Sequence, residues 1–295
     1  MNDGGVDARF GRRGRNLPLC CAMRTASIVS VLECVVNVSQ GRDKGVIDEV
    51  AASCGDSLLD VHSDFDYDRS VLTLAGPSVT VDVARLARRT LELIDFRRYR
   101  GVHPALGALD VVPFVPLGET TFETAVRQRD EFGAWLAEQF GLPVFLYGDE
   151  TSLPQIRKSA FTTLAPTYGN PRPDPIVGST CVGARGLLVA LNINLACSWE
   201  RARYVARTLR SGSVRALALL AGDRVQVSMN LIDPLVFTPL MAVASAALME
   251  QVRSVELVGL LPEAVVLGHE AEYEAVGIDP TATIEARLRR KIAHS

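Results

Sequence analysis

His103 is the residue best placed to do chemistry, because it stands in a Gly/Pro turn directly before a strongly apolar run. Gly101 and Pro104 punctuate the backbone around it, and Leu109–Val115 is β-prone apart from Asp110 and Pro113. An imidazole at the mouth of a strand suits proton transfer, since its ordinary pKa of about 6.5 lies near working pH. The plainer reading is a surface-turn histidine. Arg42 after Gly41, Arg69 at a strand start and Arg185 after Gly183-Ala184 could each bind a carboxylate or form an exposed ion pair. His62 follows Asp60-Val61 at a strand end and either faces a cleft or is solvated, while His269 and His294 lie in a polar tail and are expected at the surface. The four histidines are scattered, and no metal site is expected.

The elements that must position these side chains come in two similar sets. Ile28–Ser39 reads as a strand, Val46–Ser53 as a short helix, and Leu58–His62 and Arg69–Leu74 as strands. Val79–Phe96 carries apolar residues at helical spacing, Leu109–Val115 is a strand, Thr121–Phe140 a helix and Pro143–Tyr147 a strand. Leu153–Gly183, rich in Pro and Gly, reads as a long loop. The first order then returns: strand Leu187–Leu195, helix Trp199–Arg210, hairpin Val214–Leu220 and Arg224–Leu231, helix Thr238–Val252, strand Val255–Leu261, with a last helix at Ile284–His294. Two consecutive βαββαβ units predict an α+β protein of two tandem ferredoxin-like sandwiches, each with helices on one sheet face only. Period-2 alternation groups Glu33, Asn37 and Ser39 on one face, Asn192 with Asn194, and Gln226 with Ser228 and Asn230. These polar stripes are either solvated or line a shared cleft. Side-chain amides there would suit a heteroaromatic ligand with mixed hydrogen-bonding edges.

Composition narrows the function classes. The 295 residues are 48% hydrophobic and 22% charged with a formal net charge of −3, so no strong field favours nucleic acid or a membrane surface. No apolar run reaches the roughly 18 residues of a membrane span. Cys20, Cys21, Cys34, Cys54, Cys181 and Cys197 form no C-x-x-C pair and read as reduced core thiols of a cytoplasmic protein. Residues 1–26, with Arg9, Arg12, Arg13 and Arg15 among Gly, Asn and Asp, read as a disordered arm, with Met23 as an alternative start. No Walker loop, dinucleotide fingerprint or G-x-S-x-G elbow is present.

Glu33-Cys34-Val35-x-Asn37-Val38-Ser39-x-Gly41-Arg42 resembles the opening motif of the glutamate formiminotransferases. So do Gly101-x-His103-Pro104-x-Leu106-Gly107-Ala108-Leu109-Asp110-Val111-x-Pro113-Phe114-x-Pro116, Leu153-Pro154-x-Ile156-Arg157, Gly183-Ala184-Arg185, Asn192-x-Asn194-Leu195 and Gln226-Val227-Ser228-x-Asn230, in family order. The resemblance implies a ligand tunnel between open sheet faces and transfer of a formimino group from N-formimino-L-glutamate to tetrahydrofolate as co-substrate. It makes His103 the general acid/base and puts folate against Gly169, Asn170, Arg172, Asp174 and Gly178. Asn37, Arg42, Arg69, Arg185, Asn192, Asn194 and Gln226 become expected substrate contacts. It implies formiminotransferase subdomains over residues 27–182 and 183–295, with a homodimer left open and no cyclodeaminase-like domain after them. Departures fall beside the chemistry: Val102 and Ala105 stand where the family carries Glu and Arg around its histidine, and His62 where it carries Asp. A catalytically impaired folate-binding or regulatory relative is therefore the alternative expectation.

Overall fold

Alternation along each strand decides what it faces. The computed structural model describes residues 31–148 and 150–294. The expected arm over residues 1–26, with Cys20 and Cys21, lies outside the described residues. The first unit runs β1 (Val31–Val38), α1 (Lys44–Ala52), β2 (Leu58–Asp64), β3 (Arg69–Gly76), α2 (Val79–Leu93), β4 (Leu109–Leu117), α3 (Phe122–Phe140), β5 (Val144–Tyr147), α4 (Leu153–Ser159) and β6 (Thr180–Ala184). The second runs β7 (Val189–Leu195), α5 (Trp199–Leu209), β8 (Val214–Ala221), β9 (Arg224–Leu231), α6 (Pro239–Ala247) and β10 (Val252–Val258), followed by α7 (Glu263–Val266), α8 (Glu270–Ala275) and α9 (Ile284–His294).

The protein is α+β with two sheets. The first has strand order β2-β3-β1-β4-β6-β5 and is mixed, because β6 runs parallel to both β4 and β5. The second, β10-β7-β9-β8, is antiparallel throughout. The segment expected to be one long loop, Leu153–Gly183, thus holds a helix and an interior strand. The expected subdomain boundary at residues 182 and 183 falls inside β6, which is hydrogen-bonded into the first sheet.

In the first sheet, Cys34, Val36, Leu72, Leu74, Val112 and Phe114 pack against Val50, Val83, Leu86, Phe132 and Leu136 of the helices. The intervening residues Val35, Asn37, Arg69, Val71, Val111 and Pro113 face the other way. In the second, Leu191, Ile193, Val227 and Leu231 join Val205, Ala206 and Val243 in a separate core. Ala190, Asn192, Ser228 and Asn230 turn to the opposite side. A smaller apolar cluster, built on Leu59, Ala75, Leu260 and Ile284, ties the start of α9 to both units.

Phe114 tests the first core. It is fully buried and meets Phe132 edge-on at a ring separation of 5.5 Å. Phe114→Ala should lower unfolding free energy by about 3–5 kcal/mol, read from urea denaturation, since the deletion leaves a cavity among rigid strands. A loss under about 1 kcal/mol would show that this layer is not what holds the unit.

Candidate functional site

The uncovered faces of the two sheets bound a cavity of about 840 Å³. One wall carries Asn37, Arg69, Val111, Pro113 and Tyr147, the other Ala190, Asn192, Arg215, Ser228 and Asn230, with His62, His103 and Arg157 also lining it. Polar contacts cross between the units. Tyr67 donates its hydroxyl to Gln226 Oε1 at 2.9 Å, and Arg224 Nη2 lies 3.3 Å from Asp64 Oδ2 and 3.0 Å from Asp66 Oδ2. His62 Nε2 lies 3.4 Å from Glu256 Oε1, and Asn192 Nδ2 donates to Glu256 Oε2 at 3.0 Å.

His103 is brought to this wall by close backbone packing. A Cβ on Gly101 would run into the Tyr67 carbonyl and the Tyr99 hydroxyl, so only glycine lets the turn cross there. The Tyr99 hydroxyl meets the His103 carbonyl, and the rings of Tyr67 and His103 lie 5.7 Å apart. The imidazole Nδ1 stands 2.9 Å from the Pro104 carbonyl and 3.1 Å from Arg69 Nη1. Donation from Nδ1 to Pro104 leaves the Nε2 lone pair free, whereas acceptance from Arg69 puts the proton on Nε2.

Behind the ring lies a buried ion cluster. Asp110 Oδ2 accepts from Arg69 Nη1 at 2.9 Å and from Arg157 Nη2 at 2.7 Å, and Asp110 Oδ1 accepts from the Leu106 amide at 2.8 Å. Arg69 also donates through Nε to Asn37 Oδ1 at 3.1 Å. Desolvation, then the charges of Arg69 and Arg157, hold His103 well below its ordinary pKa. The ring is therefore neutral at pH 7 and able to accept a proton. Burial pushes the Tyr99 hydroxyl up to about 12, and Glu33, buried on β1, up to about 7, partly offset by Arg185.

The expected site residues divide. His103, Asn37, Arg69, Arg185 and Asn192 line the cavity. Arg42 does not: its Nε donates to the Phe65 carbonyl at 3.1 Å and its guanidinium covers the Phe65 ring. Asn194 is turned to Ser254 and Gln226 to Tyr67, so both serve the scaffold. Ser39, expected on the polar stripe, instead donates to the Gly107 carbonyl at 2.7 Å beyond a register shift at Asn37 and Val38. The loop of Gly169, Asn170, Arg172, Asp174 and Gly178 also lies off the cavity wall. Gly169 and Gly178 take positive φ, 82° and 77°, where the chain passes close to Leu142 and to Leu106. Asn170 accepts from the Arg172 amide, and Asp174 from those of Ile176 and Val177, so the loop's polar groups satisfy its own backbone. Val102 is exposed and donates its amide to Asp66. Asp110 and Arg157 had not been expected as functional residues. The available signal was a lone carboxylate inside a strand whose neighbours are all apolar, which demands a cationic partner. Among the described residues no cluster of metal-ligating side chains occurs, and no helix is long and apolar enough to cross a membrane.

Glu33 gives a pH test of the wall. Its folded pKa, raised above the ordinary 4.5 to about 7, makes its contribution to stability full below the unfolded value and lost as pH rises through about 7. Glu33→Gln removes that loss. Its stability relative to wild type, from denaturant unfolding at each pH, should rise by about 3 kcal/mol between pH 4.5 and pH 8. A pH-independent difference would mean that Glu33 ionises normally.

Comparison with known proteins bears on the same residues. A profile described as the formiminotransferase domain, N-terminal subdomain, matches residues 31–185. Glutamate formimidoyltransferase of Thermoplasma acidophilum is 32% identical over 300 residues, covering 89% of this chain and 98% of that one. The protein of the same name from Streptococcus pyogenes serotype M1 is 33% identical, covering 70% of this chain and 79% of its own. Formimidoyltransferase-cyclodeaminase of Gallus gallus is 36% identical over 280 residues, 81% of this chain. The chain spans only about half of that relative's length, 52%.

Proposed function

The chain belongs to the formiminotransferase family, and from that premise we propose that it transfers a formimino group from N-formimino-L-glutamate to N5 of tetrahydrofolate in the cavity between its two sheets. We read each unit as a ferredoxin-like sandwich and the cavity as the tunnel that holds both substrates. The observation that carries this reading is an imidazole, His103, 3.1 Å from Arg69 Nη1 in an amide-lined cavity of about 840 Å³ that Arg157 also lines. That volume lies within the range of small-molecule sites. Asn37, Asn192, Ser228 and Asn230 offer donors and acceptors for a pteridine edge. Arg157 Nε, buried without a protein partner among the described residues, and Arg185 are cations for substrate carboxylates.

The chemistry follows from these positions. The N5 lone pair attacks the formimino carbon, and the C=N π pair moves onto the formimino NH nitrogen, giving a tetrahedral intermediate. His103 Nε2 takes the proton that N5 sheds. The resulting imidazolium then protonates the glutamate nitrogen, whose C–N bond breaks as the C=N bond re-forms. One imidazole thus serves as base and then acid, worth about 10²–10⁴ in rate. Neighbouring arginines weaken the base but strengthen the acid, favouring rapid return of the proton. Joint binding of two substrates supplies further acceleration through orientation. The free thiols of Cys34, Cys54, Cys181 and Cys197 accord with a cytosolic location, and a homodimer is the assembly we would look for first by light scattering.

Steady-state assay with formiminoglutamate and tetrahydrofolate tests the reading, alongside titration with folinate. Wild type should bind folinate and turn over. His103→Ala should lose about 10²–10⁴ in kcat while folinate affinity changes little. Turnover within threefold of wild type would remove His103 from the chemistry, and no folinate binding would remove the folate assignment.

A further inference from the structure

One buried carboxylate at the cavity is not used by the transfer chemistry. The Asp110 side chain is 1% exposed. Its three hydrogen bonds come from three different parts of the first unit: Arg69 on β3, Arg157 on α4, and the Leu106 amide in the turn that follows His103. The contact to Leu106 closes the 106–110 turn, two residues beyond Pro104. The contact to Arg69 involves the same nitrogen, Nη1, that stands 3.1 Å from His103 Nδ1. A carboxylate buried this deeply would be costly without cations, and two arginines buried here would be costly without it.

We propose that Asp110 is a positioning residue of the catalytic site: it holds Arg69 and Arg157 against the back of His103 and closes the turn on which that histidine is carried. The inference rests on the reading of His103 as the proton-transfer group. Asp110 takes one of the two Nη1 hydrogens of Arg69 and so fixes where that guanidinium stands beside Nδ1. The Pro104 carbonyl, 2.9 Å from Nδ1, can accept an Nδ1–H, which leaves the Nε2 lone pair free.

The charges that face the ring are few. Arg69 comes from β3, Arg157 from α4 and Asp110 from β4. Tyr67 and Tyr99 complete the surroundings, and burial raises the pKa of both hydroxyls, so neither is charged at neutral pH. Two cations act on the imidazole and Asp110 is paired to both, so the sign of each substitution follows. Asp110→Asn removes the anion and makes the imidazolium harder to form, so the His103 titration midpoint moves down. Arg157→Gln removes a cation and moves it up. The double variant returns it toward wild type. A role confined to folding would not produce shifts of opposite sign that cancel.

The test is an NMR titration of the His103 imidazole in the full chain and the pH profile of kcat/KM on the same proteins. Each single variant should shift the midpoint by about one pH unit, tenfold in proton affinity, in the stated direction. The double variant should lie between them. Arg157→Lys, which keeps the charge, should shift the midpoint far less than Arg157→Gln, and this pair decides the matter if Asp110→Asn does not fold. Unchanged midpoints, or single-variant shifts of the same sign, would overturn the proposal. Midpoints that move as stated while the kcat/KM profile does not would uphold the positioning role and instead overturn the assignment of His103 as the transferring group.

Discussion

A β-sheet covered by helices on one face must find something for the other, and in this protein each sheet uses its partner. Helical cores take the side chains at Cys34, Val36, Leu72 and Leu74 in one unit and at Leu191, Ile193 and Val227 in the other. The alternate positions then have no helix to meet. They are filled with a mixture of valines, prolines, amides and arginines that cannot close into a dry core, and a cavity results. Its walls are fixed by two well-packed layers and its width by cross-unit contacts such as Tyr67 to Gln226 and Arg224 to Asp64 and Asp66. A site built on strands in this way is held more precisely than one carried on loops alone.

Within that frame the expensive feature is charge. Arg69, Arg157 and Asp110 are brought together where solvent is scarce, and Asp110 is all but inaccessible. Burial depresses the proton affinity of Arg69, and Asp110 opposes that. Such a cluster is weak support for stability, because apolar residues of similar volume would often do as well. Its sense is chemical. On the proposed reading it keeps a histidine close to positive charge, which suits a proton carrier that must receive a proton and then give it up.

Much of this was legible in the chain. Period-2 and helical spacing located β1 to β5 and α1 to α3 to within a few residues, because each has one apolar face. The turn at His103 could be read from Gly101 and Pro104. What escaped was non-local. The strand Thr180–Ala184 is five residues long and contains Gly183, so its own composition argues weakly for a strand, and only its parallel neighbours on both sides make it one. Helix α4 did leave a local trace, Ser152 and Gln155 in a capping box with Pro154 in the first turn, hidden in a proline-rich stretch. With α4 read as loop, Arg157 had no fixed position and Asp110 no second partner. The polar stripes show the same limit of local spacing. Period 2 groups Asn192 with Asn194 and Ser228 with Gln226, but neighbouring side chains, Ser254 and Tyr67, draw Asn194 and Gln226 out of the cavity wall.

The central claim is that both substrates meet His103 between the two sheets. A crystal structure of the protein with folinate and glutamate bound tests it most directly. The pteridine is expected between the sheet faces, against Asn37 and Asn192, with N5 or its one-carbon substituent within about 2.6–3.2 Å of His103 Nε2, directly or through one water. Folinate bound on the Gly169–Gly178 loop, outside the cavity and out of reach of His103, would contradict it.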